Sequence, residues 1–225
     1  MNVATKTFFY AAAAIGGAIG VYYRPSASIV TAPLFWASYF IGVRGRRLTH
    51  ATTDANGDIV ETPEDLAAQA SQVVGRPVDV NAYALARNIH SEEASSDAPT
   101  QAAIAYVALN VSHGDVVGLL TRNKNASGAG KFGGQSSGRW ASTASDPYEG
   151  DLQIAETVLG GNVPDPTISD TAPMGAIHYF RPTLQDILFS QGKVRKTSEQ
   201  IEANWGGDGY TVPGVDSGLL FFGPA

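Results

Sequence analysis

Two adjacent glutamates, Glu92 and Glu93, stand at the end of one helical pattern and just before another in the stretch NIHSEEASSDAPTQAAIAYVALN. In the helix expected from about Asn81 to Ala94, positions three and four apart share a face, which places Glu92 in a row of apolar side chains. A carboxyl group against apolar surface can keep its proton near neutral pH and donate it to the leaving oxygen of a glycosidic bond. Glu93 lies on the other flank of the same stripe, so the periodicity does not distinguish between the two acids.

Other chemistries have weaker support in the sequence. The histidines show no His-Glu-x-x-His or similar ligand spacing, and no Gly-x-Ser-x-Gly motif predicts a serine nucleophile. His90 stands two residues before Glu92, on a different side of the helix, and is interpreted as ordinary helix surface or the edge of a cleft. The four histidines are His50, His90, His113 and His178.

The composition argues against a nucleic-acid partner. The chain has 225 residues, a formal net charge of −6 and a sequence pI near 5.1. Such an acidic chain lacks the basic surface that binding to nucleic-acid phosphates requires. Its 44% hydrophobic content allows one good-sized domain with an extension. It contains no cysteine, which excludes disulfides and thiolate ligands and leaves the redox compartment open.

Two uncharged apolar runs dominate the amino terminus, FFYAAAAIGGAIGVYY at 8–23 and IVTAPLFWASYFIGV at 29–43, and RGRR follows at 44–47. Each run is shorter than the about 20 apolar residues of a bilayer-spanning helix. Three interpretations stay open: a signal peptide without a clean cleavage site, a membrane hairpin followed by a cationic stop, and two helices buried in a protein assembly. The last two make residues 1–47 an anchor.

The segments around the acids predict a helical body. Thr62 is expected to cap a short helix that begins at Pro63 and ends at Gly75. The helix that carries the acids follows, and Asp97 caps the next one, whose apolar stripe predicts packing of the two as a hairpin. The dipeptide Asn-Gly at 56–57 predicts a small β-hairpin ahead of these helices.

The second half of the chain is more irregular. Residues 123–143 are rich in Gly, Ser and Asn, which predicts loop structure on the surface. Asp146 is expected to cap another helix, with Pro147 as its first residue and a glycine at its end. Two modest helical patterns follow, and the apolar carboxy-terminal tail is expected to dock on its own domain or on a neighbour.

The stretch LARNIHSEEASSDAPTQAAIAYVALN, residues 85–110, resembles the first two helices of the bacterial cell wall hydrolase family that includes the spore cortex-lytic enzymes and phage-borne relatives. The family pattern there is Leu-Ala-Arg, a catalytic glutamate and a Gln-x-Ala-x-Ala helix ending in Leu-Asn. The match runs without gaps and implies that Glu92 is the catalytic acid. Glu93 is the second choice, since it stands where the family usually has alanine.

A second stretch, DPYEGDLQIAETVLGGNVPDPTISDTAPMGAIHYFRP at 146–182, resembles a later block of the same family. In that block, a helix ending in glycine leads to Asp-Pro-Thr and then to Gly-Ala and an aromatic pair. Here the insertion ISDTAPM separates Asp-Pro-Thr at 165–167 from Gly-Ala at 175–176. The resemblance therefore covers about 78–182, a little under half of the chain.

The resemblance implies a mainly α (α+β) fold with a lysozyme-like helical catalytic domain at 78–225. A small β-hairpin with a connecting helix is expected at 50–77, and an apolar anchor or assembly segment at 1–49. The implied activity is cleavage of the MurNAc–GlcNAc glycan strand of peptidoglycan by a lytic transglycosylase that uses a single glutamate as acid and base, without metal or cofactor. The alternative is a non-enzymatic virion structural or membrane-inserting component that keeps a lysozyme-like module for docking.

Sugar-binding groups are expected in the loop GGQSSGR, where Gln135, Ser136 and Ser137 offer amide and hydroxyl groups, and at Tyr179, whose ring offers a stacking face. The expected partners are peptidoglycan glycan strands, with membrane or virion protein contacts through residues 1–47 and no nucleic acid. The expected location is the virion or the cell envelope.

Asp97 and Asp146 are the nearest candidates for a second, hydrolytic carboxylate. Both precede helical patterns at positions that favour a capping side chain, and both are interpreted as caps. A transglycosylase needs no second carboxylate, which agrees with that interpretation.

Overall fold

The computed structural model describes residues 45–53, 55, 59–93, 96–121 and 146–224. The chain divides into two compact units, Met1–Arg44 and Gly45–Ala225. The division falls after Arg44, so residues 45–49 of the expected amino-terminal segment 1–49 belong to the second unit. Among the described residues, no helix has both the length and the apolar character needed to cross a bilayer.

The described part of the second unit is mostly helical and contains one small antiparallel sheet, which confirms the mainly α (α+β) class. The elements in chain order are α1 (Pro63–Val74), α2 (Val80–Glu93), α3 (Ala98–Ser112), α4 (Val116–Thr121), α5 (Glu149–Leu159), β1 (His178–Phe180), α6 (Pro182–Ser190), α7 (Ser198–Asn204) and β2 (Leu220–Phe222).

Helix α1 has the ends that its sequence predicts. The Thr62 hydroxyl accepts a hydrogen bond from the Asp65 backbone N–H at 3.1 Å, and the Asp65 carboxylate accepts one from the Thr62 N–H at 3.1 Å. Pro63 is the first helical residue. The helix ends at Gly75, whose φ of 74° is in the left-handed region that glycine adopts without strain.

Helix α2 is the centre of the unit. It packs against α1, α3, α4 and α5, and its residues 82–91 are all buried. Its first turn is held by Asp79, whose carboxylate accepts a hydrogen bond from the Asn81 N–H at 2.8 Å. Buried polar side chains usually find partners inside the protein, as Arg87 and His90 do, although both side-chain polar atoms of the fully buried Asn88 have no hydrogen-bond partner among the described residues. The polar residues of α2 therefore determine much of the interior.

Helix α3 is capped by Asp97, as predicted: its carboxylate accepts a hydrogen bond from the Thr100 N–H at 3.0 Å. The helix is buried along most of its length and packs against α2, which confirms the predicted helical hairpin. The predicted β-hairpin region has one bridge, Thr53 to Ile59, and its tip at 56–58 lies outside the described residues.

The sheet forms between two segments far apart in the sequence. Strands β1 and β2 are antiparallel, with Tyr179 opposite Phe221. The carboxy-terminal tail thus docks on its own domain, which is one of the two alternatives that its apolar sequence leaves open. The rings of His178 and Trp205 stack with centroids 4.5 Å apart, and Phe180 meets Trp205 edge-on at 5.6 Å. Tyr179 is between these two residues in sequence and therefore faces the other side of the sheet.

The buried hydroxyl of Tyr106 in α3 gives a prediction for alkaline pH. This hydroxyl donates to the Val163 carbonyl, and burial, together with the negative charge of Asp165, raises the pKa of Tyr106 to about 12. Because the unfolded tyrosine titrates near 10, we expect the free energy of unfolding to fall as the pH rises from about 10 to about 12. Urea unfolding at a series of pH values should show a flatter alkaline limb for Tyr106→Phe than for the wild type. Parallel limbs would contradict this assignment.

Candidate active site

The structure brings together two of the residues that the sequence selects, Glu92 and Tyr179. Glu92 lies in the last turn of α2, and Tyr179 is the central residue of β1. The Tyr179 hydroxyl donates a hydrogen bond to Glu92 Oε2 at 3.0 Å, across 87 positions of sequence. Both side chains are half-buried. A carboxyl group at a helix end is thus held in a defined orientation and keeps partial access to solvent.

Strand pairing explains how Tyr179 reaches the acid. Its backbone is opposite Phe221 in the sheet, and its ring centroid lies 6.1 Å from that of the buried Phe221. The ring packs on one side of the sheet while the hydroxyl extends to Glu92. Tyr179 was predicted as a stacking face for a sugar, whereas the contact that the structure assigns to its hydroxyl is with the acid.

The structure does not describe the side chains of the other predicted site residues. Gln135, Ser136 and Ser137 are not among the described residues. Glu93 is the last residue of α2, and only its backbone is described. The preference for Glu92 over Glu93 therefore stays a prediction.

Asp146 does not cap α5, and this prediction was wrong. The helix begins at Glu149, with Tyr148 as its N-cap residue. The Asp146 carboxylate is buried, lies 2.6 Å from Nη1 of Arg87 and also accepts from the Ala51 N–H at 3.0 Å. The buried guanidinium of Arg87, on α2, requires a counter-charge, whereas the start of α5 finds another partner, since the Glu149 N–H donates to the Arg46 carbonyl at 3.0 Å.

His90 does not lie on the surface, contrary to the interpretation of its sequence position. It is buried on α2, and its Nδ1 lies 2.9 Å from Oδ2 of Asp151 on α5. The same carboxylate oxygen accepts a hydrogen bond from the Tyr148 N–H at 2.8 Å, and the Tyr148 ring lies 5.3 Å from the imidazole. This pair fixes α5 against the helix that carries Glu92.

Neither candidate for a second carboxylate is directed to the acid. Asp97 caps α3, and Asp146 neutralises Arg87 inside the protein. Among the described residues, no three His, Asp or Glu side chains cluster closely enough to hold a metal ion. The contact described at Glu92 is that of a carboxyl group oriented by a phenol.

Sequence reasoning did not anticipate a polar cluster beside β1. Asn110 on α3 donates to Oδ2 of Asp165 at 3.0 Å and to the Ala176 carbonyl at 3.1 Å. Thr167 donates to Asp165 Oδ1 at 2.7 Å. These residues fall in the Leu-Asn, Asp-Pro-Thr and Gly-Ala motifs of the two sequence blocks. Their shared membership of these motifs is the feature of the sequence that could have indicated the cluster.

Comparison with protein-family models, with curated proteins and with solved structures finds no match to this chain. The family resemblance consequently depends on the two sequence blocks and on the way in which their residues meet in the fold.

Proposed function

We propose that this protein cleaves the glycan strand of peptidoglycan as a lytic transglycosylase, with Glu92 as its single acid and base and with a lysozyme-like helical catalytic domain. The observation that carries the proposal is the hydrogen bond from Tyr179 to Glu92. It joins the proposed acid of the first sequence block to the aromatic pair of the second block, at the positions that the resemblance selects.

Further contacts join the same two blocks. Arg87 and His90 of the first block pair with Asp146 and Asp151 of the second, and Asn110 binds Asp165. Two segments that resemble one family in sequence are therefore also neighbours in space. This arrangement supports treating both as parts of one site.

The expected mechanism uses the Glu92 carboxyl group twice. As an acid, it transfers its proton to the glycosidic oxygen, and the bond from that oxygen to the muramic acid anomeric carbon breaks. The resulting carboxylate then accepts the proton of the muramic acid 6-hydroxyl while that oxygen bonds to the same anomeric carbon. The product is a 1,6-anhydro end, and Glu92 regains its proton. Because the nucleophile belongs to the substrate, no second carboxylate is needed to activate water.

Tyr179 has a supporting role in this mechanism. Its hydroxyl binds Oε2, which restricts rotation of the carboxyl group about its terminal torsion. An acid that must serve two oxygens in succession gains from being held in one orientation, because proton transfer requires hydrogen-bond distance and alignment at each step.

The proposal extends to location and partners. A wall-cleaving unit preceded by residues 1–47 with two apolar runs suits a virion or a cell envelope, where the amino terminus would contact a membrane or virion proteins. The glycan strands of peptidoglycan would be the substrate.

The products released from purified sacculi test the proposed activity. The full-length protein should release muropeptides that carry 1,6-anhydro ends, each 18 mass units lighter than its hydrolytic counterpart because no water is added. Mass spectrometry separates the two products, and reducing ends alone would replace the transglycosylase with a hydrolase. Binding to sacculi without any product at several pH values would favour the non-enzymatic component instead.

A further inference from the structure

The segment that leads into β1 is fixed by side chains that bind both backbone polar groups of one residue, Ala176. The Ala176 N–H donates to Thr167 Oγ1 at 2.9 Å, and the Ala176 carbonyl accepts from Asn110 Nδ2 at 3.1 Å. Ala176 and Thr167 are fully buried. The backbone three residues before Tyr179 is thus fixed through both of its polar groups.

Asp165 orients the two side chains that bind Ala176. Its Oδ1 accepts from the Thr167 hydroxyl at 2.7 Å and from the Thr167 N–H at 2.8 Å. Its Oδ2 accepts from Asn110 Nδ2 at 3.0 Å. One carboxylate therefore sets the position of both the donor and the acceptor that bind the Ala176 peptide groups.

Gly175 shows how closely this cluster approaches the chain. Its φ is 79°, and a Cβ at this position would lie 2.4 Å from Asn110 Nδ2 and 2.4 Å from Asp165 Oδ2. Any side chain here would displace the cluster. The insertion before Gly175 consequently does not loosen the entry into β1, because the chain is secured again at 175–176.

The polar cluster links the helix that carries Glu92 to the strand that carries Tyr179. Asn110 is on α3, which packs against both α2 and β1. After Ala176, the Ile177 N–H donates to the Phe222 carbonyl at 2.8 Å, and the sheet begins at the next residue. The position of Tyr179 relative to Glu92 therefore depends on the position at which Asn110 holds Ala176.

We infer that Asn110, together with Asp165 and Thr167, is a positioning residue that holds Tyr179 against Glu92. The catalytic meaning of this role depends on the proposed function, but the position of the tyrosine does not. In this role Asn110 acts on the acid through Tyr179, so its removal should matter only while the Tyr179 hydroxyl is present.

The test follows the pH titration of the Glu92 carboxyl carbon by NMR in the full-length protein, with the signal assigned by its loss in Glu92→Gln. A hydrogen bond donated to a carboxylate favours the charged form, so Tyr179→Phe should move the titration to higher pH by about half a unit to one unit. Asn110→Ala should move it in the same direction. The double variant should move it no further than Tyr179→Phe alone.

Two results would overturn the inference: an Asn110→Ala titration equal to that of the wild type, or a double variant whose shift is the sum of the single shifts. If Asn110→Ala does not fold, Thr167→Val replaces it under the same criteria, and Thr167→Ser must restore the wild-type titration. A sacculus assay on the same samples separates the two questions, since absence of product from the wild-type protein would reject the proposed function and leave the titration result intact.

Discussion

Glu92→Gln is expected to lower the release of 1,6-anhydro muropeptides by about 10²–10⁴-fold, the usual contribution of a general acid or base. Glutamine has nearly the size and shape of glutamate, and its carbonyl oxygen can still accept the Tyr179 hydrogen bond. It cannot transfer a proton to the glycosidic oxygen or accept one from the 6-hydroxyl. The loss should therefore appear in kcat, measured by mass spectrometry of products from purified sacculi.

The adjacent acid supplies the matched control. Glu93→Gln removes the same charge from the same turn of α2, and its activity should remain within a few-fold of the wild type, because the general-acid contribution is retained. Thermal unfolding of both variants should match that of the wild type. Loss of activity in Glu93→Gln with retention in Glu92→Gln would move the catalytic assignment by one residue.

Local signals in the sequence predicted the helices and several of their ends. Thr62, Pro63 and Gly75 bound α1 as expected, and Asp97 caps α3, because capping depends on residues within one turn of the helix end. The sheet was not predicted. Strands β1 and β2 have three residues each and lie about forty positions apart, which is too short for an alternating pattern and too distant for a turn signal.

The two errors about buried polar residues have a common origin. Asp146 and His90 were interpreted from their local positions, yet their partners, Arg87 and Asp151, lie 59 and 61 positions away. Helical periodicity indicates which side of α2 is buried only when apolar residues mark it, and here charged residues occupy part of the interior. The contact between Glu92 and Tyr179 was likewise beyond local patterns, and only the family resemblance placed the two residues in one site.

Asp146→Asn is expected to destabilise the protein by about 3–5 kcal/mol. The substitution keeps the volume and removes the negative charge 2.6 Å from Nη1 of Arg87, where both side chains are only 1% exposed. A guanidinium cannot release its proton, so the charge of Arg87 would remain buried without compensation. Urea unfolding followed by circular dichroism should show a lower midpoint and an unchanged slope.

The pair between Arg76 and Glu156 is the surface control for this experiment. Its N–O distance is also 2.6 Å, but the two side chains are 49% and 31% exposed, so Glu156→Gln should cost less than about 1 kcal/mol. Equal losses in the two variants would show that burial does not determine the contribution of Asp146. An activity assay on purified sacculi separates structure from catalysis: Asp146→Asn should retain the wild-type kcat at a temperature where it is folded. A folded variant without activity would instead show that the buried Asp146–Arg87 pair positions the helix that carries Glu92, because a carboxylate with 1% exposure does not reach a substrate.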